Sequence, residues 1–254
     1  MTTPDTIIAE MTAMRNPEQM KILMQFFKTD EGEYGEGDQF LGLKNPQTRD
    51  FVKRYYKDIN LNDLDVLITN PYHEIRLCGL LILVEKFLKL MPKKNGADSV
   101  DNVITRDEII KKYLDFSTYA NNWDLVDLTA PKLVGNWFFM KSMITQEEKE
   151  RIIDTFAASE NLWQRRISMV FTWTTTHQKH PELALKYALI HLADKHDLMQ
   201  KAVGWMLREV GKVCSEDILR EFLNDHYAEI SRTSLRYAIE KFDERERKSW
   251  LERG

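Results

Sequence analysis

Apolar residues recur at spacings of three and four along nearly the whole chain, the period of a helix that buries one face. Strand-like alternation is scarce, and so is glycine. Helix starts are signalled by three Asn-Pro pairs, Asn16-Pro17, Asn45-Pro46 and Asn70-Pro71. In each the Asn side chain is expected to cap the helix, and the Pro to occupy a first-turn position that needs no amide N–H. Two stretches break the pattern: 29–44, rich in Gly and acid, and 92–104, which contains "PKKNGADSVDN". Both read as loops, the second mobile.

The helices also recur. Those expected to begin near His73, Trp123, Trp163, Met199 and Ser231 share a polar or aromatic start followed by a long apolar face. Trp163 to Met199 is 36 residues and Met199 to Ser231 is 32, and another helix precedes each start. Helix pairs at that period predict an all-α chain, a HEAT/armadillo-like α-solenoid of antiparallel helix pairs with a concave binding groove. The expectation is a single α-helical repeat domain over 1–254; a compact all-α bundle is the alternative.

Composition narrows the setting more than the function. The chain has 254 residues, 43% hydrophobic and 30% charged, with two cysteines far apart. Cys78 and Cys214 form no metal-binding spacing, so buried free thiols in a reducing, cytoplasmic setting are expected. The opening "MTTPDTIIAEM" lacks a basic start followed by an apolar run, so no secretory leader is expected. The longest apolar run, "LCGLLILVEKFLKLM", is too short and too charged to span a bilayer. A monomer without membrane attachment follows as the default. The formal net charge of −4 argues mildly against nucleic acid, although an acidic outer face and a basic inner one sum to the same figure.

Candidate chemistry sits at the helix starts. In "NNWDLVDLTAP" (121–131), Trp123 and Asp127 are four apart and fall within about 40° of each other around a helix. Asp124 is expected to be a first-turn acid favoured by the helix dipole, with Asn121 or Asn122 as cap. Asp127 lies a turn deeper among apolar residues; a salt bridge to a neighbouring Arg is its structural alternative. In "NLWQRRISMVFTW" (161–173), Arg165 and Arg166 point about 100° apart, so one is expected to pair structurally and the other to face the groove. In "MQKAVGWMLREV" (199–210), Lys201 and Trp205 share a face and Gly204 leaves room beside the ring; a core Trp is the plain alternative for Trp205. His73-Glu74 lacks the second histidine of an HExxH site, and His177, His180, His191, His196 and His226 suggest no ligand set. No metal or cofactor is expected. Cations hold phosphate, while aromatic faces and a carboxylate attract a positively charged group. A ligand with both needs is DNA bearing a cationic, alkylated purine.

With "FLGLKNPQTR" (40–49), "HEIR" (73–76), "WDLVD" (123–127), "LWQRR" (162–166) and "KAVGWMLRE" (201–209) in this order, the chain resembles the AlkD-type DNA alkylation repair enzymes, HEAT-like-repeat DNA glycosylases. The resemblance implies a monofunctional glycosylase that excises 3-methyladenine and 7-methylguanine from double-stranded DNA in base excision repair, without drawing the base into a closed pocket. It matches Trp123 and Trp205 to the family's concave-surface tryptophans, Asp127 to its catalytic aspartate and Arg166 to its active-site arginine; Lys201 is expected to join Arg166 in DNA binding. The acidic 30–38 segment and the 92–102 loop look like insertions against that pattern. The rival reading is a non-catalytic HEAT-like scaffold that binds DNA or protein.

Overall fold

Each helix start predicted by the pattern is present within about two residues, as helix boundaries generally allow. The computed structural model describes residues 3–93 and 96–253. Lys94 and Asn95, within the second expected loop, lie outside the described residues. The described chain is all-helical apart from one isolated bridge between Gln39 and Tyr72. Its successive packed helix pairs fit the helical-repeat architecture the spacing predicts. No helix among the described residues is long and apolar enough to cross a membrane.

The chain forms two compact units. The first, 1–129 with 141–143, holds α1 (Pro4–Ala13), α2 (Pro17–Phe26), α3 (Asn45–Tyr55), α4 (Leu64–Ile68), α5 (His73–Lys89), α6 (Val100–Asp115) and α7 (Trp123–Thr129). Its centre is α5, which is buried on every side from His73 to Val84 and packs against α3, α4, α6 and α7. A helix so enclosed reads as an apolar run rather than a stripe, as "LCGLLILV" does.

The second unit, 130–140 with 144–254, opens on a π-helical turn, Pro131–Gly135. It continues through α8 (Gln146–Ala157), α9 (Leu162–Val170), α10 (Thr172–His177), α11 (Glu182–His191), α12 (Asp197–Val213), α13 (Glu216–Asp225), α14 (Arg232–Ala238) and α15 (Glu244–Leu251). Here α12 is central, packed by α9, α10, α11, α13 and α14. Gly204 sets its approach to α14. A Cβ there would stand 2.4 Å from the Ser234 carbonyl oxygen, so the missing side chain makes room for a helix backbone rather than for the Trp205 ring.

The Asn-Pro signals divide. Asn16 caps α2 as expected, its Oδ1 accepting from the N–H groups of Glu18 and Gln19. At α3 the cap position falls to Lys44, whose N–H is taken by the Gln47 side chain. At α5 the helix begins two residues beyond Pro71. The Asn70 side chain instead closes a turn onto the Tyr72 N–H, and the Arg76 guanidinium takes the carbonyls of Asn70 and Pro71. Tertiary hydrogen bonds hold that backbone out of the helix.

Both expected loops are more tightly tied than their composition suggests. Within 29–44, Asp38, Phe40, Leu41 and Leu43 are buried. Gly42 adopts φ +88° and lies so close to α2 that a Cβ would sit 2.1 Å from the Asn16 carbonyl oxygen. Gly42 and its two neighbours, Leu41 and Leu43, donate three backbone N–H groups to the buried Glu74 carboxylate at 2.8–3.1 Å. Replacing Glu74 by Gln leaves at least one of these donors facing an amide NH2. The loss is expected to be about 2 kcal/mol, which calorimetry would read as a fall in Tm of about 5 °C. An unchanged Tm would show that the strap holds without the carboxylate. In the second stretch, α6 begins at Val100 behind a Ser99 cap, so 100–104 are helical rather than loop. Asp98 pairs with the buried Arg106, which also binds the Leu90 carbonyl.

Candidate functional site

The first unit carries an open pocket of about 390 Å³ between the end of α2, the start of α3, α5 and α7. Trp123 and Asp127 both line it, as their four-residue spacing predicts. On α7, Asp124, Leu125, Val126 and Thr129 are buried, while Trp123, Asp127 and Leu128 remain partly accessible. The Asp127 carboxylate is therefore on the pocket side of a short helix whose opposite face is core. The remaining wall combines aromatic rings with leucines and polar groups. Phe27 lies 5.3 Å from the Trp123 ring, and Phe26, 59% exposed, meets the same ring edge-on at 5.7 Å.

Beneath this wall lies a buried ionic cluster. His73 Nδ1 meets Asp38 Oδ2 at 2.8 Å and Nε2 meets Asp124 Oδ2 at 3.0 Å. A carboxylate at each ring nitrogen demands a proton on both, so the ring is an imidazolium. Burial opposes that charge most strongly. The charge and hydrogen bond of Asp124, and then those of Asp38, outweigh it and push the histidine up to about 9. Burial likewise works to raise Asp38, but His73 and Arg76 hold its carboxyl below the usual range. Arg76 binds the other Asp38 oxygen at 2.6 Å and the Asn121 side chain at 2.8 Å.

Asp124 is the first-turn acid of α7, as expected, and is also one end of this clamp, its other oxygen accepting from the Leu125 N–H. Of the two expected caps, Asn122 accepts from the Trp123 N–H and Asn121 serves Arg76. His73 and Glu74 have structural partners, and no metal-binding group of three His, Cys, Asp or Glu occurs among the described residues.

Three sequence-predicted residues belong to the second unit. Lys201 and Trp205 fall on the one partly accessible seam of α12, with Arg208 a turn further on. The Lys201 ammonium pairs with Asp197 at 2.7 Å, and its side chain keeps 39% exposure. Arg166 is joined to the start of the same helix, donating to the Leu198 carbonyl at 2.5 Å, and is only 5% exposed. Arg165 is bound as well, to Asp194 at 2.7 Å and to the carbonyls of Ser159 and Glu160, and is the less buried of the two arginines. Trp163 is buried.

Sequence reasoning missed Phe26, Phe40 and Asp38. An aromatic ending α2 at an exposed position was the only signal for Phe26. Asp38 and Phe40 lay in the stretch read as a loop.

The family model described as DNA alkylation repair enzyme matches residues 7–242. A solved structure described as a predicted DNA alkylation repair enzyme from Enterococcus faecalis superposes with a TM-score of 0.64. It is 17% identical, over 91% of this chain and 97% of that one, which speaks for the fold alone. No curated protein matches the sequence.

Proposed function

Because the chain belongs to the DNA alkylation repair enzyme family, we propose that it is a glycosylase that hydrolyses the N-glycosidic bond of cationic N3- and N7-alkylated purines in double-stranded DNA. The observation that carries this reading is the placement of Asp127 beside Trp123 on the wall of an open, partly aromatic pocket.

Alkylation at N3 or N7 makes the base cationic and a good leaving group, so little general-acid assistance is needed. As the bond breaks, its electron pair stays with the base, which departs neutral. Positive charge passes to the deoxyribose, as in other glycoside cleavages. Water then adds to C1′ and loses a proton, leaving an abasic site. A fixed carboxylate beside that sugar stabilises the charge where it develops and orients the water; we assign this to Asp127. Trp123 and Trp205 pack against sugar and backbone. Lys201 and Arg166 supply positive charge to phosphate, Lys201 with the more accessible side chain of the two. The protein acts as a monomer.

The test is release of free base. Incubation with methylated duplex DNA is expected to liberate 3-methyladenine and 7-methylguanine, resolved by chromatography. A mobility shift without base release would favour the rival, a helical-repeat scaffold that binds DNA without cutting it.

A further inference from the structure

We propose that His73 is a positioning residue for the chemistry of α7, an imidazolium clamp that ties the helix carrying Trp123 and Asp127 to the 29–44 segment. The proposal rests on the reading of Asp127 as the group that stabilises the sugar. Three observations carry it. First, α7 is only seven residues long, too short to hold its own orientation by helix propensity. Second, the tie is made at Asp124, one residue after Trp123 and three before Asp127. Third, the His73 ring itself forms part of the pocket floor, stacked on Phe40 at 4.6 Å and tilted against Phe27 at 4.9 Å, and Phe27 in turn touches Trp123. A rotation of the ring therefore disturbs both the charged tie and the aromatic wall.

A neutral histidine cannot serve both carboxylates. It carries one N–H, so on deprotonation one nitrogen lone pair faces a carboxylate oxygen. The interface with Asp38 or with Asp124 then opens, and α7 is released at its first turn. The charged groups around the ring are accounted for on each element packed against it. Asp38 comes from the 29–44 segment and Asp124 from α7, with Asp127 further along the same helix. Glu74 and Arg76 lie on α5 itself, the first turned to backbone N–H groups and the second to Asp38. Lys44 stands at the start of α3 in the same pocket, while α2 and its end present the rings of Phe26 and Phe27. Asp124 and Asp38 are the two that touch the imidazole, so they set the pH at which the clamp fails.

The experiment combines imidazole and indole NMR with single-turnover base release across pH. In the wild type, both ring N–H protons of His73 are expected at neutral pH. The Trp123 indole resonance and the excision rate should change together as His73 titrates toward about 9. His73→Gln should excise at least about tenfold more slowly at neutral pH, the scale on which small misplacements act. It should keep DNA affinity and lose the alkaline fall. Asp124→Asn should move that fall to lower pH, since it removes one of the two carboxylates that hold the proton. It decides the matter if His73→Gln does not fold.

A single ring N–H at neutral pH would overturn the proposal, as would a folded His73→Gln with the wild-type rate or an unaltered alkaline fall. Failure of the underlying reading looks different. Asp127→Asn would then excise normally, while the Trp123 resonance would still follow His73.

Discussion

Asp127→Asn is expected to lower single-turnover release of 7-methylguanine by about 10²–10³-fold, the usual cost of removing one preorganised group that meets developing charge. The substitution keeps size and shape, so the packing of Leu125, Val126 and Thr129 behind α7 is undisturbed. What changes is the charge. An amide oxygen still orients water, but it offers a sugar cation only a dipole in place of a full negative charge. Affinity for intact duplex should hold or rise slightly, because a carboxylate beside DNA repels phosphate. The pattern to look for is therefore a loss confined to the chemical step, with the dissociation constant unmoved. If the variant released base at the wild-type rate, Asp127 would have no part in stabilising the sugar. If it lost rate and affinity equally, the residue would be holding DNA rather than acting on it.

The features that the sequence made legible are those governed by local spacing. Trp123 and Asp127 share a pocket wall, and Lys201 and Trp205 share a seam of α12, because four residues bring side chains round to one face of any helix. Asn16 caps α2 for an equally local reason. What stayed hidden depends on contacts between remote segments. His73 binds residues 35 and 51 positions away, and nothing in "HEIR" points to either. The acidic, Gly-rich segment read as a loop because its composition is that of one. Its burial comes from Glu74, a carboxylate 31 to 33 residues distant that collects three of its backbone N–H groups. Gly204 shows the same limit. Beside a tryptophan in the sequence it reads as space for that ring, whereas the space belongs to α14.

Stability should peak near pH 6.5 and fall on both sides, because two buried histidines pull in opposite directions. In the first unit His73 is pushed up to about 9. Its contribution is complete below 6.5, where folded and unfolded chains are both protonated, and is lost as pH rises through about 9. In the second unit His191 is pushed down to about 4, first by burial and then by Arg165, with Asp194 opposing. It is neutral beside the Ser168 hydroxyl, 2.9 Å from Nε2. Its contribution is complete above 6.5 and is lost as pH falls through about 4. His196 is lowered as well, chiefly by burial, and adds to the acid side with the same sign. Asp38 and the other depressed carboxylates act only at still lower pH, in the range where carboxylates titrate, leaving the first part of the acid limb to the histidines. Each main histidine is worth on the order of 3 kcal/mol across its window. Equilibrium unfolding in urea between about pH 4.5 and 9.5 should give a stability maximum near 6.5, the ordinary histidine value. His73→Gln should flatten the alkaline limb alone and His191→Gln the acid limb alone. A stability that stays level from neutral pH to 9.5 would mean that His73 holds no proton its unfolded form lacks. The tie beneath α7 would then be a single hydrogen bond from a neutral ring rather than an ionic clamp.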